Sequence, residues 1–139
     1  MKKAFNIFLV LALCLSVTGC AMNSDTQSDL WSTAKYTQDT SFGDGAKTLD
    51  ITVEAGDKSV VFTIKSDKTT VGEALMEHEL VDGEQGPYGL YIKSVNGIVA
   101  DYNIDKSYWS FNKQGEYMTT GVDATEFVDG DKFELVYTK

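Results

Sequence analysis

The stretch TLDITVEAGDKSVVFTIKSDKTTVGEALMEHE, residues 48–79, decides the fold class. From Thr48 to Ala55 apolar and polar residues alternate, which predicts a half-buried strand. Gly56-Asp57 predicts a turn, and the alternation that resumes from Val60 to Ile64 predicts the second strand of a hairpin. The hairpin is followed directly by a different, helical pattern.

That helical pattern begins at Thr70-Val71-Gly72-Glu73, which has the form of a capping box. In such a box the hydroxyl and the carboxylate three residues later satisfy free N–H groups at the helix N-terminus. We expect the helix to run from Val71 to about Glu79. Val71, Ala74 and Leu75 lie on one face, with the spacing that covers a sheet.

Several short strands are predicted after the helix. Asp82-Gly83 indicates the end of the helical region, and Asn96-Gly97 between apolar runs is a strong hairpin signal. The predicted strands are Leu90–Val95, Ile98–Tyr102, Lys106–Asn112, Glu116–Thr119 and Phe133–Tyr137. Because no crossover helix remains for a parallel sheet, the sequence predicts an α+β fold. We expect a β-grasp-like, mostly antiparallel sheet with one packed helix and with the last strand central, beside the first.

Residues 1–19 have the pattern of a lipoprotein signal peptide. Lys2 and Lys3 precede an apolar run, Ala4–Val17, that is short for a membrane span of roughly 20 residues. The run ends in Val17-Thr18-Gly19-Cys20, which resembles a bacterial lipobox. We expect cleavage before Cys20, fatty acylation of that residue (for example with palmitate), and anchoring on the extracytoplasmic face of a bacterial cell membrane. The alternative is an ordinary secretory signal with an accidental cysteine.

Residues 20–47 are predicted to be the lipidated cysteine and a flexible linker, because Ser, Thr, Asp, Asn, Gln and Gly predominate there. The alternative is that Trp31 and Phe42 dock onto the domain. The folded domain is predicted to span residues 48–139.

Composition excludes several classes of function. The formal net charge is −9 and the chain has no arginine, so nucleic acid is not an expected partner. Cys14 would leave with the signal peptide and Cys20 would be acylated, so neither a disulfide nor a cysteine nucleophile is expected. Without a readable catalytic constellation, we expect a protein that is not an enzyme. Two carboxylates meeting in a cleft are the remaining catalytic alternative.

No metal site is expected. Glu77, His78 and Glu79 are consecutive, and consecutive residues of a helix point about 100° apart, so they cannot converge on one ion. Asp129-Gly130-Asp131 lacks the ligand spacing of an EF-hand loop, and turn chemistry explains it better.

Aromatic residues are concentrated between residues 88 and 117. They are Tyr88, Tyr91, Tyr102, Tyr108, Trp109, Phe111 and Tyr117. Tyr and Trp offer large, rigid contact area with a polar tip. Strand alternation places Trp109 and Phe111 on one face and Tyr108 on the other, so one set packs in the core. The remaining rings form an exposed binding surface or, alternatively, simply cover the backbone of their own sheet.

From about residue 48 to 139 the chain resembles the C-terminal β-domain of the cobalamin carriers, transcobalamin and intrinsic factor, and the bacterial DUF4430 family. The matching motifs are Gly86-Pro87-Tyr88, Ile92–Gly97, Tyr108-Trp109, Gly121-Val122, and Asp129–Asp131 before Phe133-Glu134-Leu135. The resemblance implies that Trp109 and Ser110–Asn112 face a corrinoid ligand. The chain lacks the large helical domain that completes the binding site of those carriers.

Two functions are compatible with these observations. The first is a tethered module that binds a corrinoid or another small molecule and passes it to a membrane importer, with no resident cofactor. The second is a cell-surface module that binds another protein and no small molecule. The candidate ligand-binding residues are Tyr88, Tyr91, Tyr108, Trp109, Ser110, Phe111, Asn112 and Tyr117.

Overall fold

A computed structural model describes residues 29–139. The predicted signal peptide, Cys20 and the first residues of the predicted linker therefore lie outside the described residues. The elements in chain order are a 3-10 turn (Leu30–Thr33), β1 (Thr40–Gly43), β2 (Lys47–Ala55), β3 (Lys58–Ser66), α1 (Val71–Glu77), β4 (Val81–Gly86), β5 (Gly89–Val95), β6 (Ile98–Val99), α2 (Tyr102–Asp105), β7 (Tyr108–Lys113), β8 (Glu116–Tyr117), a second 3-10 turn (Val122–Ala124) and β9 (Asp131–Thr138).

The main sheet has six strands in the order β1-β3-β2-β9-β7-β8. β2 and β3 form the predicted antiparallel hairpin, and β9 pairs with β2 in parallel and with β7 antiparallel. The last strand is thus central, beside the first strand of the predicted domain. Helix α1 carries its buried residues, Val71, Ala74 and Leu75, toward the core. The α+β class and the β-grasp-like arrangement are confirmed.

The capping box at the start of α1 forms as the sequence predicted. The backbone N–H of Glu73 donates to Thr70 Oγ1 at 3.2 Å, and Glu73 Oε2 accepts from the backbone N–H of Thr70 at 3.0 Å. Hydrogen bonds to its carboxylate from the backbone N–H groups of Thr70 and Thr69 lower the pKa of Glu73. The helix begins at Val71 because its first N–H groups are satisfied there.

A second, three-stranded sheet, β4-β5-β6, contributes Ile92, Val95 and Ile98 to the same core. The Asn96-Gly97 turn joins β5 to β6, with φ angles of 54° and 80°, so this predicted hairpin is confirmed. Asp82-Gly83, which was predicted to end the helical region, lies beyond the end of α1 at Glu77 and within β4, at a bulge opposite β5. Glycine is needed at position 83 because a Cβ added there would overlap the Tyr91 carbonyl oxygen.

The predicted strand Ile98–Tyr102 is wrong beyond Val99, because helix α2 begins at Tyr102. Asp101 caps this helix by accepting a hydrogen bond from the N–H of Asn103 at 2.9 Å. The hydroxyl and backbone N–H of Ser107, followed by Lys139, lower the pKa of Asp105 to about 2. Local side-chain hydrogen bonds have therefore replaced strand pairing in this segment.

Residues 29–47 were predicted to be part of a flexible linker, and this prediction is wrong. They pack onto the domain, which is the alternative given above. Trp31 is buried and its Nε1 donates to the Ala55 carbonyl oxygen at 2.9 Å. β1 adds to the main sheet in parallel with β3. The ring of Phe42 meets that of Phe62 edge-on, at 5.5 Å between centroids. Within residues 29–139, no helix is long and apolar enough to cross a bilayer.

Candidate functional site: an aromatic groove at the edge of β7

Strand β7 has one edge that is only half paired. β8 pairs with it at Asn112 and Lys113, and the N–H of Met118 then donates to the Phe111 carbonyl oxygen at 2.9 Å. In an antiparallel pair, alternate residues direct their main-chain groups to the same side. The N–H and C=O of Trp109 therefore point to the same edge as those of Phe111. Among residues 29–139, no backbone hydrogen bond joins Trp109 to the segment that follows Met118.

A groove of about 470 Å³ lies along this free edge, and we call it the edge groove. Because it follows the edge, residues from both faces of β7 reach it. The volume is within the roughly 300–1,000 Å³ of small-molecule sites. The residues that line it are Tyr88, Leu90, Tyr91, Ile92, Tyr108, Trp109, Phe111, Tyr117, Met118, Thr119, Thr120, Gly121, Val122 and Ala124.

The far wall of the edge groove is the loop of residues 118–125, which is fixed by polar contacts. Asp123 Oδ2 accepts from the N–H of Leu90 at 3.0 Å and so joins this loop to the start of β5. Gly89, with φ of 100°, brings its backbone against the Asp123 carboxylate, and a Cβ added there would lie 2.6 Å from Oδ1. Thr125 Oγ1 donates to the Gly121 carbonyl oxygen at 2.8 Å. The wall is therefore preformed.

The rim of the edge groove is open to solvent and its lining is uncharged. Tyr88 is 95% exposed and Tyr117 is 70% exposed, whereas Trp109 and Phe111 are buried at the floor. Within the part of the chain that the structure describes, no charged side chain lines the groove. The Trp109 indole is held in place because its Nε1 donates to the Ile98 carbonyl oxygen at 3.1 Å. The surface suits a flat, largely apolar ligand.

The structure brings six of the eight predicted ligand-binding residues to this one groove. They are Tyr88, Tyr91, Tyr108, Trp109, Phe111 and Tyr117. Ser110 and Asn112 are not among its lining residues. Ser110 is buried on the opposite face of β7 from Trp109, where Thr138 Oγ1 lies 3.5 Å from its hydroxyl. Ligand binding by these two residues stays a prediction, because the groove is lined by Tyr108 from their face of β7 but by neither of their own side chains.

Sequence reasoning missed the loop of residues 118–125 and the apolar pair Leu90 and Ile92. Threonine, glycine and alanine in a loop give no binding signal by themselves. Gly121-Val122 was noticed only as a short motif shared with the cobalamin carriers. Val122 is buried in the core, and Gly72 of α1 packs against the backbone of Asp123. Both contacts hold the loop against the domain.

The other candidate residues form no comparable site. His78 packs on Phe42, with 5.3 Å between ring centroids, and its Nε2 lies 3.9 Å from Glu77 Oε2. Asp129 accepts a hydrogen bond from the N–H of Thr48 at 2.7 Å, as a turn residue does. In residues 29–139, no group of three or more His, Cys, Asp or Glu side chains is placed to hold a metal ion.

The fold and the edge groove define the class as a small α+β, β-grasp-like domain with an aromatic groove beside its sheet. The chain belongs to the DUF4430 family, domains of unknown function, whose model matches residues 68–139. The resemblance to this family noted from the sequence is thereby confirmed. Among curated proteins, no sequence matches this chain.

Two solved structures are similar to this chain. One is a candidate metal-binding protein from Ruminococcus gnavus ATCC 29149, with 39% identity and a TM-score of 0.64, covering 68% of this chain and 98% of that one. The other is haptocorrin in complex with Cbi, with 19% identity and a TM-score of 0.51, covering 70% of this chain. This chain corresponds to only 26% of haptocorrin, so that likeness concerns the fold of one part of it.

Proposed function

We propose that this protein is a membrane-anchored, extracytoplasmic binding module whose edge groove takes one face of a corrinoid and hands it to an importer. The observation that carries the proposal is the edge groove itself, with a floor of Trp109 and Phe111 and a rim of exposed tyrosines. Its support from relatives is the shared fold with haptocorrin, which was solved with Cbi bound. The candidate metal-binding description of the Ruminococcus gnavus relative is not carried over, because residues 29–139 group no ligands for an ion.

The chemistry of the groove supports a ligand of this class. A corrin ring is broad and flat, and carboxamide groups surround it. Aromatic side chains provide rigid contact area for the ring. A carboxamide offers N–H donors and a carbonyl acceptor, which complement the C=O and the N–H that the main chain of Trp109 directs toward the groove. The uncharged lining and the net charge of −9 both disfavour an anionic ligand.

The openness of the groove suits transfer rather than storage. Binding sites that hold a small molecule tightly bury most of its surface. Here the rim residues Tyr88 and Tyr117 are mostly exposed, so a corrinoid would keep one face in solvent. An importer or a helical partner domain would then complete the site from that open side.

The proposal predicts measurable corrinoid binding that depends on the groove rim. Purified protein should retain cobinamide in equilibrium dialysis, read from the visible absorbance of the corrinoid. Tyr117→Ala and Tyr88→Ala should each weaken the affinity about fivefold to tenfold, since one aromatic contact contributes about 1 kcal/mol. Both side chains are exposed, so neither change should unfold the domain.

Tyr102→Ala is the matched control, because Tyr102 is also an exposed tyrosine but lies on α2 and does not line the groove. The affinity of the Tyr102→Ala protein for cobinamide should equal that of the unmodified protein. Absence of cobinamide retention at millimolar concentration would exclude the corrinoid. Equal weakening by all three variants would show that the groove is not the binding site.

The second candidate function, a protein-interaction module, is favoured by the free edge of β7. An extended segment of a partner could add to this edge through the unpaired N–H and C=O of Trp109, as in β-strand addition. A photo-reactive amino acid at position 117 separates the two functions. Capture of a specific surface protein without any cobinamide retention would favour this second candidate.

The anchoring part of the proposal rests on the lipobox at Val17–Cys20. Diacylglyceryl modification of Cys20 should keep the protein in the membrane fraction, because two acyl chains give stable anchoring. We expect Cys20→Ala to release nearly all of the protein into the medium, measured by immunoblotting of both fractions. A Cys14→Ala control should leave the distribution unchanged. A Cys20→Ala protein that stays with the membrane would show that the anchor is elsewhere.

A further inference from the structure

One end of the main sheet gathers several segments of the chain. β2 and β9 run in parallel and both finish there, at Ala55 and Thr138, and β7 begins beside them, with Tyr108 opposite Thr138. Helix α2 lies at the same end because Lys139 Nζ is 3.2 Å from Asp105 Oδ2. We call this the tether end of the domain.

The described chain also enters the domain at the tether end. Trp31 Nε1 donates to the carbonyl oxygen of Ala55, the last residue of β2. Asp29 Oδ1 lies 3.6 Å from Lys58 Nζ at the start of β3, just past the turn. Asp29, the first residue that the structure describes, therefore lies at this end.

Three large apolar side chains are exposed on consecutive elements at the tether end: Val99, Tyr102 and Ile104, which we call the apolar tip. Ile104 is 82% exposed, and it does not line the edge groove. The ammonium of Lys106 lies 4.8 Å from the centre of the Tyr102 ring. A tyrosine beside a lysine is a pair typical of membrane interfaces, where the ring enters the headgroup layer and the ammonium stays at its surface.

Eight residues lie between Cys20 and Asp29, which makes nine residue-to-residue steps along the chain. Even fully extended, they span at most roughly 30 Å, at about 3.3–3.6 Å per residue. If Cys20 carries the lipid, as proposed above, the tether end is held within that distance of the bilayer whatever the conformation of those residues. The apolar tip, at the same end of the domain, is then held close to the bilayer.

We propose that the apolar tip inserts into the lipid headgroup layer and orients the anchored domain with its tether end on the membrane. The inference rests on the proposed lipid anchor at Cys20. Interfacial residues of this kind enter roughly 5–10 Å into the boundary between headgroups and acyl chains. The domain would then stand on the membrane with the opposite end of its sheet, where β2 and β9 begin, facing outward.

The experiment uses the mature lipidated protein, in which an introduced cysteine is the sole free thiol because Cys20 is acylated. Ile104→Cys and Val128→Cys are each labelled with an environment-sensitive nitrobenzoxadiazole dye. Val128 is the matched control: it is apolar and 67% exposed, but it lies at the opposite end of the sheet, where the N–H of Gly130 donates to the Thr48 carbonyl oxygen at 2.8 Å. Both proteins are reconstituted in phosphatidylethanolamine–phosphatidylglycerol vesicles, with or without brominated acyl chains.

Bromine quenching several-fold stronger at position 104 than at position 128 is expected. Equal quenching at the two positions, in protein that floats with the vesicles, would overturn the inference while the lipid anchor stands. Protein that does not float with the vesicles would overturn the anchor and, with it, the orientation that depends on it. The Ile104→Asp variant should still float with the vesicles. In that variant, bromine quenching of a dye at Val99→Cys should exceed that of a dye at Val128→Cys by less than it does without the Asp substitution.

Discussion

Replacing Trp31 by alanine is expected to lower the free energy of unfolding by about 3–5 kcal/mol, as large-to-small changes of buried aromatic residues do. Trp31 is buried against the core at the tether end, and its Nε1 is hydrogen-bonded to the Ala55 carbonyl oxygen. The substitution removes the ring contacts and also leaves that carbonyl without its donor. Urea denaturation followed by far-ultraviolet circular dichroism measures the change.

Trp31→Phe is the informative control. It keeps most of the ring contacts but removes the Nε1 donor, so we expect a loss of about 1–2 kcal/mol. The difference between the two variants separates packing from the hydrogen bond. If Trp31→Ala costs less than about 1 kcal/mol, residues 29–36 are not an integral part of the fold.

The elements that the sequence predicted well are those whose signals are local. The β2–β3 hairpin alternates apolar and polar residues, except at Val61, around a two-residue turn. The capping box at Thr70 needs only a hydroxyl and a carboxylate three residues apart. The Asn96-Gly97 turn is specified by two adjacent residues that accept positive φ. Each of these signals operates within a few residues, so tertiary contacts had little opportunity to override it.

The segment before residue 47 was misread because its ordering is not local. Its polar composition is typical of a linker, but a few widely spaced rings hold it to the domain. Tyr36, Phe42 and Phe62 meet edge-on, with centroids 5.2–5.7 Å apart. β1 pairs in parallel with a strand that lies later in the chain, and parallel pairing across such a separation has no signature within the segment itself.

The candidate site was predicted in its aromatic part and missed in its loop part. Aromatic residues are few and conspicuous, and six of the selected positions line the edge groove. The resemblance to the cobalamin carriers also implies Ser110 and Asn112, whose side chains do not line the groove although Tyr108, on the same face of β7, does. The loop of residues 118–125 is held against the groove because the Asp123 carboxylate accepts a hydrogen bond from the N–H of Leu90 and because Val122 is buried in the core. Neither contact can be predicted from the sequence of the loop itself.

The two proposals agree in one geometric respect. The edge groove begins near the tether end, at Tyr108 and Trp109, and extends along the side of the main sheet, whereas the apolar tip lies on β6 and α2. A domain that stands on its tether end would therefore keep the groove beside the membrane surface rather than against it. A ligand held there would be accessible to an importer that rises from the same bilayer.

Replacing Asn96 by alanine is expected to cost about 3–5 kcal/mol, although the residue is small and polar. Asn96 is fully buried, and its side chain makes two hydrogen bonds to the backbone of one residue. Oδ1 accepts from the N–H of Tyr36 at 2.9 Å, and Nδ2 donates to the Tyr36 carbonyl oxygen at 2.8 Å. Alanine leaves both of these part-buried backbone groups without their partner, at about 1–2 kcal/mol each. It must also adopt a φ of 54°, which costs an L-residue without a local hydrogen bond roughly 1–2 kcal/mol.

Two further variants separate the contribution of the lost hydrogen bonds from that of the positive φ angle. Asn96→Gly accepts the left-handed conformation freely but loses the same hydrogen bonds, so it should be about 1 kcal/mol more stable than Asn96→Ala. Asn96→Asp keeps an acceptor for the Tyr36 N–H but buries a charge, so its stability should rise as the pH falls and the carboxyl group becomes protonated. Denaturant titrations at two pH values distinguish these outcomes. Equal stability of the alanine and unmodified proteins would mean that Tyr36 does not need Asn96, and that the aromatic contacts alone hold the N-terminal segment to the domain.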